Sequence, residues 1–132
     1  MTPLENAQFA NQLGHFYQSV AAQIGNYIHE NIGTPGLSRP DLDILSDDQT
    51  RIISYANTFF SLSDKIAFAD SDVSFGKITA AQEEIKNAVT HIDNSNKAIG
   101  IAGGVISLAA AVVTCNASGI ATSLGSILAA AA

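Results

Sequence analysis

The sequence contains no tryptophan, one cysteine, one methionine and three prolines among its 132 residues. A single cysteine cannot form an intramolecular disulfide, so a disulfide-stabilised scaffold is excluded. Lys, Arg, Asp and Glu make up 14% of the chain, against about 25% in an ordinary soluble domain. The formal net charge is −6, which excludes the basic surface that attracts nucleic acid. We therefore expect no nucleic-acid partner.

Charge is missing altogether from the C-terminal segment 98–132. The six Lys and Arg residues and the twelve Asp and Glu residues all lie at positions 1–97, the last being Lys97. From there the sequence reads AIGIAGGVISLAAAVVTCNASGIATSLGSILAAAA. So long an uncharged segment has to be covered by a protein core, by a partner or by a bilayer.

The uncharged segment divides into two apolar arms. Residues 98–114 are small and apolar, and the turn-like sequence CNASG follows at 115–119. The second arm then presents an apolar helical stripe at Ile120, Leu124, Ile127 and Leu128. At 1.5 Å per residue the arms would be about 25 Å and about 20 Å long, each shorter than a hydrocarbon core of about 30 Å. The segment therefore predicts a helical hairpin.

The composition of this hairpin suits entry into an apolar environment. The strong membrane-helix formers contribute roughly −2 to −4 kcal/mol in the first arm and roughly −1 to −2 kcal/mol in the second. Insertion of one copy is therefore marginal and depends on packing with other helices. Gly100 and Gly104 form a GxxxG pair, and Gly103, Ser107 and Ala111 continue the spacing of small residues. The alternative is a buried, alanine-rich helix pair in the core of a soluble bundle.

We assign membrane insertion, or burial in an apolar interface, to the following residues of the hairpin: Ile99, Gly100, Gly103, Gly104, Ile106, Leu108, Val112, Val113, Ile120, Leu124, Ile127 and Leu128.

Residues 1–97 carry the patterns of amphipathic helices. Thr2-Pro3-Leu4-Glu5 is a helix-start signal, apolar residues follow at spacings of three and four, and Gly33 is a stop signal. A second capping signal at Ser46-Asp47-Asp48-Gln49 predicts another helix start. We expect this second helix to bury Ile52, Ala56, Phe59, Phe60 and Ile66. Helices are expected near 3–32, 46–69, 77–114 and 119–131.

A seven-residue repeat runs through the third predicted helix, at Ile78, Ile85, Ile92, Ile99, Ile106 and Val113. Small residues follow three positions after the first five of these, which favours close antiparallel packing of the coiled-coil kind. The repeat continues past Lys97 at the same seven-residue spacing. We therefore predict one rod over 77–114, about 57 Å long, with Asn94-Ser95-Asn96 as the place where it would bend.

No catalytic or metal-binding pattern is visible in the sequence. His15, His29 and His91 fall on different predicted helices, without a ligand partner at helical spacing. The acidic group Asp41, Asp43, Asp47 and Asp48 lacks EF-hand spacing and favours a solvated helix start. We expect a protein that is not an enzyme and uses no cofactor.

The first residues also lack the basic and apolar regions of a signal peptide. If the protein is exported, we expect a leaderless route and action at a target membrane.

A charge-free, Gly/Ala-rich hairpin at 98–132 beside long amphipathic helices resembles the α-helical pore-forming toxins of the haemolysin BL and cytolysin A kind. It resembles the buried hairpin of pore-forming colicins more loosely. The likeness is one of architecture, so no residue role is transferred. It implies a soluble form that buries the hairpin and, at a membrane, an oligomer that inserts it.

The alternative is a helical interaction or assembly protein whose apolar segment is covered by other copies or by an apolar protein partner. Either function fits the fold class that the sequence predicts. The predicted fold class is a single all-α domain, an elongated antiparallel helical bundle. In it, residues 1–97 form amphipathic helices and residues 98–132 form an apolar hairpin.

Overall fold

The computed structural model describes residues 3–62, 72–114 and 116–131, and within these ranges it contains five α-helices and no strand. The helices are α1 (Pro3–Asn31), α2 (Arg39–Leu62), α3 (Asp72–Thr90), α4 (Ser95–Val113) and α5 (Ala117–Ala131). The predicted all-α fold class, a helical bundle with a C-terminal apolar hairpin, is confirmed.

The helices contact one another in a ring around one apolar core. α1 packs on α2, α2 on α4, α4 on α5 and α5 on α3, while α3 returns to α1 through the sparsest of these contacts. All five helices contribute fully buried side chains, among them Leu13, Ile52, Ile85, Leu108 and Ile127. The α4–α5 hairpin is therefore enclosed between α2 and α3.

The first helix ends where the sequence predicts, but the second begins earlier. Gly33 adopts a φ of +80°, a left-handed conformation that favours glycine, just after α1 ends at Asn31. The predicted start of α2 at Ser46 is wrong, because the helix begins at Arg39. The Ser38 hydroxyl accepts a hydrogen bond from the Asp41 amide at 3.3 Å and caps this end. Pro40 is tolerated because the first-turn amides have no partner within a helix.

Residues predicted to be buried in α2 are mostly in the core. Ile52, Ala56 and Phe59 are fully buried, Phe60 is half-buried, and Ile66 lies outside the described residues. The predicted end of this helix near residue 69 also lies outside them.

The predicted continuous rod over 77–114 is wrong. α3 begins at Asp72 and ends at Thr90, and α4 begins at Ser95. The Asn94 backbone is extended, with φ −153° and ψ 161°, and its side-chain oxygen accepts a hydrogen bond from the Lys97 amide at 2.8 Å. This N-cap satisfies an otherwise unpaired amide of α4, so the polar site where a bend was expected is a full break.

The seven-residue repeat is fully buried in α3 only, although Ile99 and Ile106 of α4 also pack against the core. Ile78 and Ile85 are fully buried in α3, whereas Ile99 and Ile106 in α4 are half-buried. Val113, the last member of the repeat, is 40% exposed.

Candidate functional site

Both helices of the hairpin begin at an asparagine cap. Asn94 caps α4, and the Asn116 side-chain oxygen accepts a hydrogen bond from the Gly119 amide at 3.0 Å to cap α5. The Asn116 amide also donates to the Ala111 carbonyl at 2.9 Å, at the end of α4. The turn between the two helices is thus stabilised by hydrogen bonds within the hairpin itself.

The two arms interlock at glycine positions. A Cβ atom on Gly100 would lie 2.9 Å from Ala130 Cβ, and one on Gly104 would lie 2.5 Å from Ile127 Cγ1. Near the turn, a Cβ atom on Gly119 would lie 3.1 Å from Ala111 Cβ. Residues along α4 therefore meet residues along α5 in reverse order, which makes the pair antiparallel. The GxxxG pair serves close packing inside the chain.

The residues assigned to the apolar function divide into an inner and an outer set. Buried in the bundle are Gly104, Leu108, Val112, Ile120, Leu124 and Ile127. Half-buried are Ile99, Gly100, Ile106 and Leu128, while Gly103 and Val113 are exposed. The hairpin brings all of them onto two neighbouring helices, with most of the large side chains turned inward.

Two glycines one residue apart on α4 should respond oppositely to alanine. Gly104→Ala should lower the free energy of unfolding by about 1–3 kcal/mol, because the added methyl overpacks the contact with Ile127. Gly103→Ala should raise it by about 0.5–1 kcal/mol, since nothing lies within 4 Å of a Cβ there and alanine favours helix. Urea denaturation measures both. Equal effects of the two changes would contradict the hairpin packing.

A buried hydrogen bond joins α1 to the middle of α4. The Tyr17 hydroxyl donates to the Val105 carbonyl at 2.7 Å, and both side chains are fully buried. The Tyr17 ring also packs edge-to-face on Phe59 of α2, with centroids 5.1 Å apart. A buried tyrosine hydroxyl needs a partner, and here α4 provides it.

A second hydrogen bond joins the start of α4 to the start of α2. The Ser95 hydroxyl donates to Asp41 Oδ2 at 2.9 Å, in a partly buried setting. Among the described residues, this bond and the one from Tyr17 are the side-chain hydrogen bonds that hold α4 to other helices. The fully buried apolar side chains of α4 and α5 add apolar packing to these two bonds.

Tyr17→Phe should lower the free energy of unfolding by about 0.5–1.5 kcal/mol near neutral pH, because it removes one hydrogen bond. Burial, with a smaller contribution from Tyr55, raises the pKa of the Tyr17 hydroxyl well above its usual range. Folding therefore requires the protonated hydroxyl. Its contribution is complete below a pH of about 10, the pKa of an unfolded tyrosine, and is lost as pH rises toward the folded-state pKa.

Urea denaturation at increasing pH measures this contribution. Wild type should lose more stability than Tyr17→Phe above a pH of about 10. Tyr55→Phe, a change at a half-buried tyrosine of α2, is the control and should keep most of the alkaline loss, because Tyr55 makes only the smaller contribution to the pKa of Tyr17. An alkaline loss of the same size in wild type and Tyr17→Phe would show that this hydroxyl is not held protonated.

An apolar groove runs between α3 and α5, with a volume of about 400 Å³. Its walls are Lys77, Ala80, Ala81 and Glu84 from α3 and Ala121, Leu124 and Leu128 from α5. α3 thus covers only part of the face of α5 that carries Leu124 and Leu128.

One helix among the described residues is long and apolar enough to cross a membrane. It is Ser95–Val113, which has 19 residues and a mean hydropathy of 1.6, and half of its apolar window is buried in the bundle. The buried core helix of a soluble protein satisfies the same criteria, so hydropathy alone does not assign α4 to lipid or to protein.

The part of the chain that the structure describes holds no group of three or more His, Cys, Asp or Glu side chains placed to bind a metal ion. The acidic residues near the start of α2 are held in part by local contacts. Arg39 pairs with Asp43 at 3.2 Å, and Arg51 pairs with Asp47 at 3.1 Å.

Sequence reasoning missed the residues that fasten the hairpin to the bundle. Tyr17 lies beside Phe16 in an apolar stripe, and its polar end was the available signal, because buried tyrosine hydroxyls are paired. The partner, a backbone carbonyl 88 positions away, carries no sequence signal. Asp41 and Ser95 likewise meet only through the fold.

Comparison of the chain with protein-family models, with curated proteins and with solved structures found no match.

Proposed function

We propose that this is a membrane-active helical protein, similar in action to pore-forming toxins, which releases the α4–α5 hairpin from its bundle. The hairpin enters a target bilayer and copies of the chain oligomerise there. The supporting observation is the hairpin itself, a pair of interlocked and locally capped helices without a charged residue after Lys97.

Apart from the hydrogen bonds from Tyr17 and Ser95, the described contacts that hold α4 in the bundle are apolar ones that lipid can replace. Ile101, Val105 and Leu108 are fully buried against other helices by apolar contacts. In a bilayer, acyl chains would cover the same side chains, so leaving the bundle exposes little apolar surface to water. The backbone polar groups of both arms stay paired within their own helices, as a bilayer requires.

The outer face of the hairpin also suits this environment. Besides Val113, the face exposes a set of small, uncharged residues: Gly103, Ser107, Ala110, Ala121, Thr122, Gly125, Ser126 and Ala129. A pair of helices with such a face can pack closely on other copies inside a membrane. Since insertion of one hairpin is only marginal by composition, such packing would supply the remaining stabilisation.

The test is flotation and dye release with purified protein and liposomes of zwitterionic or anionic lipid. The chain should float with the liposomes and release an encapsulated dye. Its net charge of −6 should weaken adsorption to the anionic vesicles, so release should be faster from the zwitterionic ones. Absence of both flotation and release on either lipid would end this proposal.

The alternative function is assembly with other copies or with an apolar protein partner. Val113, which is 40% exposed at the end of α4 near the turn, is the observation that favours it. Sedimentation in buffer separates the two functions. A stable oligomer without lipid, together with no liposome binding, would support assembly.

A further inference from the structure

We propose that the break at residues 91–94 is a hinge that becomes helical when the protein acts, so that α3 and α4 join into one straight helix over 72–113. This inference rests on the proposed function and specifies the motion that releases the hairpin.

The seven-residue repeat is the first argument for a joined state. Ile85, Ile92 and Ile99 keep the spacing of one helix face across a segment that is not helical here. Two separate helices would not require the seven-residue spacing to continue across the break between them. In one continuous helix each member of the repeat would lie within about 20° of the next around the helix axis, whereas in the bundle Ile85 is fully buried, Ile106 half-buried and Val113 exposed.

The break itself contains nothing that prevents a helix. No glycine or proline occurs between Gly76 and Gly100, so no residue there is incompatible with helical backbone angles. Two polar contacts at the edge of the break stabilise its non-helical backbone. The Asn94 side chain caps the Lys97 amide, and the Ser95 hydroxyl donates a hydrogen bond to Asp41. Lys97 Nζ also lies 3.7 Å from Asp93 Oδ1.

The surroundings of the break leave space for rearrangement. A cavity of about 100 Å³ lies beside it, lined by Tyr27 and Glu30 of α1 and by Thr90 and Ile92 on the α3 side. It lies along the α1–α3 seam, where the ring of helices has its sparsest contacts. α3 can therefore leave α1 with the loss of few contacts.

Joining α3 and α4 into one helix would necessarily separate α3 from α5 of the hairpin. In the bundle α5 contacts both Lys77–Glu84 of α3 and the length of α4, so α3 has to fold back beside the hairpin. In a straight helix, residue 77 would lie about 45 Å from residue 107, and α5 could not reach both. Leu124 and Leu128, which line the α3–α5 groove, would then be uncovered for lipid.

A proline at position 95 separates the two states. Ser95 is the first residue of α4, where proline fits, and the preceding Asn94 has ψ 161°, close to what proline favours in its neighbour. Ser95→Pro therefore permits the broken form and forbids the straight helix. Ser95→Ala is the matched control, since both variants lose the hydrogen bond to Asp41 and only proline blocks the helix.

The measurement is the distance between spin labels on Lys77→Cys and Ser107→Cys, in a Cys115→Ser background, by electron spin resonance. In the bundle α3 and α4 flank α5, so the labels should lie about 20 Å apart, two helix spacings. With liposomes the distance should lengthen to about 45 Å in the labelled parent and in Ser95→Ala. Ser95→Pro should stay near about 20 Å and release dye at least about tenfold more slowly than Ser95→Ala.

The two readouts distinguish the hinge from the proposed function. Dye release with an unchanged label distance would overturn the hinge and leave membrane action standing. A lengthened distance without dye release would support the hinge and overturn pore formation. Equal dye release by Ser95→Pro and Ser95→Ala would also overturn the hinge, and no change in either readout would overturn both proposals.

Discussion

Ser107→Asp should abolish dye release from liposomes while leaving the soluble bundle folded. Ser107 is exposed on α4, so a carboxylate there remains in water as long as the hairpin stays in the bundle. The position lies within one turn of the midpoint of Ser95–Val113. Near a membrane centre an aspartate costs about 2.5–3.5 kcal/mol, which should lower the inserted fraction roughly 60- to 300-fold.

Gln18→Asp is the matched control. It adds the same charge at an exposed position of α1, outside the proposed inserting segment, and should release dye at the wild-type rate. Position 107 is preferred to Ile106, because Ile106 is half-buried and a charge there would disturb the bundle as well. Dye release by Ser107→Asp at the rate of Gln18→Asp would show that this part of α4 does not enter the bilayer.

Ile85→Ala should destabilise the soluble form by about 2–5 kcal/mol, because it leaves a cavity where a fully buried side chain of α3 fills the core. Urea denaturation measures this loss. If the bundle restrains the hairpin, the same change should also accelerate dye release, since the state that opposes insertion is weakened.

Ile53→Ala supplies the comparison for this prediction. Ile53 is 44% exposed on α2, so its truncation should change the free energy of unfolding by less than about 0.5 kcal/mol and leave dye release unchanged. Equal effects of the two substitutions on stability would show that α3 does not face the core as the structure has it. Destabilisation by Ile85→Ala with slower dye release would contradict the restraining role of the bundle.

The local features of the fold could be predicted from sequence because they depend on few residues. Gly33 ended α1 through its left-handed backbone, and the loss of charge after Lys97 together with the CNASG turn defined the hairpin. Within the site, the GxxxG pair lies at the close contact between α4 and α5. The sequence did not show that its partner would be α5 of the same chain, at Ala130 and Ile127.

The start of α2 and the break before α4 could not be predicted because weak local signals compete there. Proline is usually a loop signal, yet Pro40 fits the first turn of a helix once Ser38 caps it. At Asn94 the seven-residue repeat favoured a continuous helix, while the asparagine favoured a cap. The contact of α5 with both α3 and α4 requires the break, and no local pattern encodes that contact.

The most direct test of hairpin insertion uses the absence of tryptophan from the chain. Ser107→Trp places a single indole on the exposed face of α4, and Gln18→Trp places one on α1. With liposomes containing brominated acyl chains, we expect a blue shift and strong quenching of the indole at position 107, and neither change at position 18. Emission from position 107 that stays unquenched and unshifted while the protein is bound to the liposomes would contradict insertion of the hairpin.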